Sequence, residues 1–328
     1  MDATRLVHLV RSLEKECADK RVVSEVLAKS ELSGWDTTAD SGTVDYDCEV
    51  LFVREACDAL DDITFGAKAG LSYVNAQNIN GYIGKYSHDL RAAIENTSKF
   101  HNLLGPAVTY SVRSTGNSAC FEIEWKDRSY AKYHRHIEFM MFAGLSRMRA
   151  LTNTNFFPLE VRFDHKVSTS LPAFQKLAGF PVVFGADAPE MILTLSSLEL
   201  PIPTNDQRLR EHLMEYGERL LKEQKDGDAS LRSKVESVLM ASLPGRILSA
   251  DGVAGSLGLS PRTFARRLAT EGLSYRDIVD QLRHDLAKTF MKDGMSLSEI
   301  AYSLGYADQA AFSTAFKRWT GVTPGRYK

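Results

Sequence analysis

Apolar residues in the first hundred positions recur at spacings of three and four. Leu6, Leu9, Leu13 and Cys17 mark one face of a helix, and Leu90, Ala93 and Thr97 mark another. The pattern then changes. AVTYSVRST and ACFEIEW concentrate β-branched and aromatic residues on either side of Gly116-Asn117, which predicts two strands and a turn. AKYHRHIEFMMFAGLSRMRAL predicts a long helix ended by Asn and Pro residues. LEVRFDHK, PVVFGAD and MILTLSS predict three further short strands. A helix should follow PIPTND, capped by Thr204 or Asn205. The expected fold of residues 1–223 is therefore α+β, with a small mixed or antiparallel sheet and surrounding helices.

QKDGDAS at 224–230 is polar and contains glycine, so it is the expected linker. Residues 231–328 are purely helical in period and carry an internal near-repeat. DGVAGSLGLSPRTFARRL and SEIAYSLGYADQAAFSTAF each place an alanine four residues before a glycine. Each also carries an apolar pair four residues apart, Phe264 with Leu268 and Phe312 with Phe316. Each copy predicts a short helix, a turn at Ser-Leu-Gly and a second helix, over about 250–269 and 296–320. Leu257 and Leu304 should join those pairs between the helices. Ser260 before Pro261, the Ser296-x-x-Glu299 capping box and Asp308 are the expected helix starts. Between the copies, Ile278, Leu282, Leu286 and Phe290 form one stripe, so a single rigid helix should join them.

Composition narrows the class. The 328 residues are 44% apolar and 25% charged with a net charge of −2, a globular balance. No apolar stretch reaches the roughly 18 residues of a membrane span. The opening stretch lacks the apolar core of a secretory signal, so a cytoplasmic location is expected. Residues 231–328 hold 14 Lys and Arg against 9 Asp and Glu, an excess of five positive charges on an otherwise acidic chain. That asymmetry points to a polyanionic partner. The four cysteines form no C-x-x-C pair, which argues for reduced thiols over disulfides or zinc. No phosphate loop, G-x-S-x-G or H-E-x-x-H occurs, and Cys120 lacks an activating setting, so neither an enzyme nor a cofactor is expected.

A helix-turn-helix places its second helix in the major groove of DNA. With Phe264 and Leu268 inward, Arg262, Thr263, Ala265, Arg266 and Arg267 are left for the outer side. With Phe312 and Phe316 inward, Gln309, Ala310, Ser313, Thr314 and Lys317 are left. Arginine can pair bidentately with guanine, and Gln309 could read adenine. Ser313, Lys317 and Arg318 are candidate phosphate contacts. Arg283, in the joining helix, should be a structural ion-pair partner, and Trp319 should close the core.

These residues resemble the DNA-binding domain of the AraC/XylS family of transcription regulators. The carriers are S-P-R-T-F-A-R-R-L at 260–268, Leu282-Arg283, E-I-A-Y-S-L-G-Y at 299–306 and A-F-S-T-A-F-K-R-W-T-G-V-T-P-G-R-Y at 311–327. The resemblance implies two recognition helices in successive major grooves of promoter DNA. Carried over, the base-contacting positions are Arg262, Ala265 and Arg266, then Gln309, Ala310 and Thr314. Ala310 and Thr314 stand where longer polar side chains often sit, so the first unit should carry most specificity. P-L-E-V-R-F-D-H, L-A-G-F-P-V-V-F-G-A and L-P-I-P-T-N-D resemble the arabinose-binding-type domain of regulators such as the ornithine-utilisation group. That implies a ligand-sensing, dimerising module and an activator that positions RNA polymerase. The effector stays open among sugars, amino acids, aromatic acids and nucleotides, with control by a protein partner as the alternative. Arg113, Trp125, Arg128, Arg135 and Arg162 are the candidate ligand contacts. His134 and His136, two apart on a helix, should face different ways and hold no metal. Met140-Met141 should be core.

Overall fold

A computed structural model describes residues 3–17, 19–35, 44–74, 79–101, 108–167, 171–207, 210–211, 213–215, 217–218, 221, 231–243, 247–257, 259–292 and 294–327. The first periodicities form helices α1 (Thr4–Glu16), α2 (Lys20–Lys29), α3 (Tyr46–Leu60), α4 (Phe65–Leu71), α5 (Ile79–Lys85) and α6 (Leu90–Lys99). Leu6, Leu9 and Leu13 of α1 are fully buried, as their spacing requires. Strands β1 (Val108–Thr115) and β2 (Ser118–Trp125) pair around Gly116-Asn117, and helix α7 (His134–Thr152) follows. A 3-10 turn over Arg128–Lys132, capped by Asp127, takes up the beginning of the stretch expected to be helix. Then come β3 (Glu160–Phe163), α8 (Leu171–Ala178), β4 (Val182–Phe184), β5 (Glu190–Thr194) and α9 (Leu195–Leu198).

The five strands make one mixed sheet in the order β1-β2-β5-β3-β4. Its β3 and β4 run parallel with α8 between them, and the other pairs are antiparallel. Alternation assigns its faces. Phe121, Met191, Val161 and Val182 lie side by side in register and are buried. Glu122, Glu190 and Arg162, one position along, occupy the other face.

Helix α7 is buried on two sides. Ile137, Met141, Phe142, Leu145 and Met148 join the core beneath the sheet. Phe139 and Ala143 join a second core made by α1, α2, α3 and α4. Met141 is fully buried and Met140 packs partly buried, so this pair is core. Gly66 and Gly70, one turn apart on α4, let that helix lie directly on α7. A Cβ on Gly66 would sit 2.5 Å from the Arg135 carbonyl oxygen. On Gly70 it would meet the Phe139 oxygen at 2.6 Å and the Ala143 nitrogen at 2.9 Å. One buried carboxylate beside α7 is satisfied by charged and polar partners. Glu49, fully buried on α3, takes hydrogen bonds from Arg5 Nε at 3.2 Å and His136 Nε2 at 2.8 Å. Burial pushes the Glu49 carboxyl up, but Arg5 and His136 outweigh it and hold it below the usual range.

The chain divides into two compact units, residues 1–76 with 83–205 and residues 77–82 with 206–328. Helical backbone begins at Gln207, and the Thr204 hydroxyl donates to the Lys85 carbonyl instead of capping it. Residues 224–230, the expected linker, lie outside the described residues. The second unit holds α10 (Leu231–Ser242), α11 (Ala250–Ser256), α12 (Pro261–Thr270), α13 (Tyr275–Lys292), α14 (Leu297–Ser303) and α15 (Gln309–Thr320). Among the described residues no helix is long and apolar enough to cross a membrane. All four cysteines are free thiols.

Gly70→Ala should lower stability by about 3 kcal/mol or more, at the upper end of overpacking costs, because backbone atoms lie on the Cβ site and cannot rotate away. Gly255 has open space around its Cβ site, so Gly255→Ala in α11 should be neutral or mildly stabilising. Denaturant unfolding of both variants checks this; equal effects would sink it.

Candidate nucleic-acid interface

Two copies of one local design build the second unit. Ser249 caps α11, and its side chain accepts from the Gly252 amide. Ser260 caps α12 with Pro261 at the first helical position, and its Oγ accepts from the Thr263 amide at 3.2 Å. In the second copy, Ser296 and Glu299 form the reciprocal capping box of α14, and Asp308 caps α15. The turns match as well. Leu259 N donates to Ala254 O, and Tyr306 N donates to Ala301 O, both at 2.9 Å. Ala254 and Ala301 are buried, which lets the paired helices close. Gly305 adopts φ +71°, a left-handed conformation that a side chain would strain. Its counterpart Gly258 lies outside the described residues.

Phe264 and Leu268 are each 2% exposed, whereas Phe312 and Phe316 are fully buried beside Leu304. Leu257 is only half-buried, so the copies are not equally filled. Trp319 packs partly buried on the second core, as expected. The joining helix α13 has 18 residues and buries Ile278 and Leu282, while Leu286 and Phe290 pack partly buried on the second core. Its rise of about 1.5 Å per residue makes it roughly 27 Å long.

The inward faces decide what is left outside. Arg262, Ala265, Arg266 and Arg267 of α12 are exposed. The three guanidinium groups have no ion-pair or side-chain hydrogen-bond partner among the described residues. Thr263 is half-buried, its hydroxyl 2.9 Å from the Ser260 hydroxyl. The second copy is different. Gln309 Oε1 accepts from Ser298 Oγ at 3.0 Å, and the Thr314 hydroxyl bonds back to the Ala310 carbonyl. Ala310 is exposed, Ser313 half-buried and Lys317 exposed without a partner among the described residues. Arg318, expected on phosphate, instead donates Nη2 to both oxygens of Asp280 on α13, at 2.7 and 2.8 Å.

Arg283 is structural, but through carbonyls and not through an ion pair. Its Nε donates to Leu304 O at 2.9 Å and its Nη2 to Gly305 O at 3.1 Å. Its guanidinium carbon sits 4.2 Å from the centre of the Tyr306 ring. These carbonyls end α14, where the helix has acceptors left over and negative partial charge. One arginine therefore clamps the turn of the second copy to the joining helix.

Residues 253–328 match a helix-turn-helix domain family, and residues 23–202 match the N-terminal arabinose-binding domain of AraC transcription regulators. The chain belongs to the AraC family of transcription regulators. The regulator VirS of Mycobacterium tuberculosis is 26% identical over 249 residues, which cover 75% of this chain and 72% of VirS. The ornithine utilization regulator of Pseudomonas aeruginosa is 28% identical over 267 residues, covering 78% and 75% of the two chains. The crystal structure of the transcriptional regulator CdpR from Pseudomonas aeruginosa aligns over 94% of this chain and 97% of that chain, at 20% identity and a TM-score of 0.39.

The five side chains expected to gather around an effector of this regulator are dispersed over its N-terminal unit. Arg113 and Arg162 share the outer face of the sheet, each tied to carboxylates: Arg113 to Glu122, and Arg162 to Glu160 and Glu190. Trp125 packs against the core on the opposite face. Arg128 is exposed on the 3-10 turn, and Arg135 donates to Glu138. The two outer-face arginines flank Cys120, whose thiol is pushed well up by burial and by Glu190. His134 and His136 do face different ways: His134 is exposed and His136 buried against Glu49. Sequence reasoning missed Glu49, Glu138 and His165, buried polar groups with no local signal.

Arg283→Ala should cost about 1.5–3 kcal/mol, the range for hydrogen bonds to a charged group. Arg283→Lys should recover little, because an ammonium cannot fork between two carbonyls while lying on a ring. Chemical denaturation of the full chain reads both; full rescue by lysine would refute the clamp.

Proposed function

We propose that this AraC-family regulator is a cytoplasmic homodimeric activator. Its N-terminal unit binds a small molecule, and its two recognition helices enter successive major grooves of promoter DNA to position RNA polymerase. The observation that carries the DNA reading is the outer face of α12. Arg262, Arg266 and Arg267 are exposed and unpaired among the described residues, while Phe264 and Leu268 anchor the helix beneath them. Free guanidinium groups lose no internal partner on meeting DNA, and one bidentate arginine–guanine pair discriminates by about 1–3 kcal/mol. Helix α15 presents Lys317 without a partner among the described residues, while its Gln309 and Arg318 are engaged internally. Specificity is thus assigned to Arg262, Ala265 and Arg266, with Thr263 and Arg267 beside them. Gln309, Ala310, Ser313, Thr314 and Lys317 form the weaker-reading second contact, with Lys317 on phosphate. Support for the sensor reading comes from the arabinose-binding family match over residues 23–202 and from a relative named for ornithine utilization.

A binding site selected from random-sequence DNA by the full chain tests the division of labour. Arg262→Ala and Arg266→Ala should each relax preference at one base pair, by about 1–3 kcal/mol. Lys317→Ala should weaken all sequences alike and lower the slope of log affinity against log salt by about 1. A changed sequence preference in Lys317→Ala would overturn the assignment. Thermal unfolding of the full chain against sugars, amino acids, aromatic acids and nucleotides tests the sensor. A ligand at 100 times its dissociation constant stabilises by about 2.7 kcal/mol, and a flat panel would favour control by a protein partner.

A further inference from the structure

His165 lies two residues beyond β3, and its side chain is 4% exposed. Its Nε2 is 2.8 Å from Oε1 of the fully buried Glu138. A carboxylate oxygen accepts, so Nε2 carries the proton and Nδ1 presents a lone pair. That Nδ1 has no hydrogen-bond partner among the described residues. Arg135 donates to the same Glu138 oxygen at 2.6 Å, so the charges of that pair offset each other beside the imidazole.

Two further ligand-type residues lie beside His165. Asp164 Oδ1 is 3.8 Å from the orphan nitrogen, too far for a hydrogen bond. The His134 ring stacks on the His165 ring, with centroids 4.4 Å apart and planes inclined by 22°. One ligand-type atom from each of the three residues lies within 4.8 Å of the other two. Bonds of about 2.0–2.2 Å in a tetrahedron bring donors to roughly 3.3 Å from one another. Stacked rings do not aim their in-plane lone pairs at one point, so closing that gap needs a rotamer change that swings the His134 ring out of the stack, and a rotation of Asp164. His134 is exposed and the Asp164 side chain 33% exposed, so these two can turn in while His165 is held by Glu138. A carboxylate on the far nitrogen of an imidazole is the arrangement that orients metal-binding histidines and raises their basicity.

We propose that His134, Asp164 and His165 bind a divalent transition-metal ion of the zinc class, with Glu138 as positioning residue. Two imidazoles and a carboxylate suit such an ion better than calcium or magnesium, which take oxygen donors. Three protein ligands leave a fourth position for water or an anionic ligand atom. An ion here ties the start of α7 to the segment after β3. The cluster of Cys120, Glu122 and Glu190 also gathers ligand types, but arginines already neutralise its carboxylates. The site is independent of the identity of the organic effector.

The test is zinc titration of the untagged, chelator-treated full chain under reducing conditions, followed by calorimetry, with cobalt absorption as a second readout. One ion per chain and tetrahedral cobalt bands are expected. His134→Ala and His165→Ala should each lower zinc affinity by more than about 100-fold, and Glu138→Gln by roughly 10–100-fold, as for lost outer-sphere partners. His134 is exposed, so its variant keeps the fold and the readout stays interpretable. Cys120→Ser should bind as the parent does. Absence of saturable binding, binding that survives His134→Ala, or loss in Cys120→Ser would each overturn the proposal.

Discussion

The N-terminal unit depends on the close approach of α4 to α7. Gly66 and Gly70 bring one helix onto the backbone of the other, where a methyl group would collide with carbonyl and amide atoms. The contact places α7 between two hydrophobic cores, one beneath the sheet and one among the first helices. A helix buried on two sides must dispose of polar side chains in its first turns. Glu49 receives His136, and Glu138 receives Arg135 and His165. The Glu49–His136 pairing joins α7 to α3, and the Glu138–His165 pairing joins it to the segment after β3. The hydrophobic contact is non-directional, and these bonds give it a register.

The C-terminal unit solves a different problem. Each helix-turn-helix must expose its second helix and still hold it rigid. Buried alanines at the turn and aromatic side chains between the helices supply the hold. The second copy has the Arg283 clamp, while the first carries arginines that are unpaired among the described residues. Rigidity and open charge are therefore distributed unequally between two copies of one motif. An arginine that is committed internally, such as Arg318, must break its hydrogen bonds to Asp280 before it can meet a phosphate. An arginine without a partner has nothing to exchange but water.

Most elements were legible in the chain because their causes are local. Spacing of three and four predicted α1, α6 and α13. Alternation around Gly116-Asn117 predicted the β1–β2 hairpin, and Ser260, Ser296 and Asp308 marked helix starts that form their cap hydrogen bonds. Thr204, one of two alternative caps expected there, donates its hydroxyl to a distant carbonyl instead, since a hydroxyl can as readily find a partner far along the chain. Arg283 was read as structural, but its partners belong to a turn that only the packed helices bring within reach. The expected effector residues did not gather, because sheet alternation puts Trp125 on one face and Arg113 and Arg162 on the other.

The sequence by itself determined the repeated helix-turn-helix motif and the apolar pair that turns inward on the second helix of each copy. Those follow from period, capping chemistry and inward-facing aromatic residues, all within a few turns of chain. Tertiary structure alone decided which charged groups remain free and which polar groups meet in the interior. His134 was weighed against His136, its neighbour in sequence, yet its partner in space is His165, brought there by the packing of β3 against α7. Hydrogen bonds and charges act over a few ångströms, and the chain's spacing does not encode which distant residues the core will bring that close.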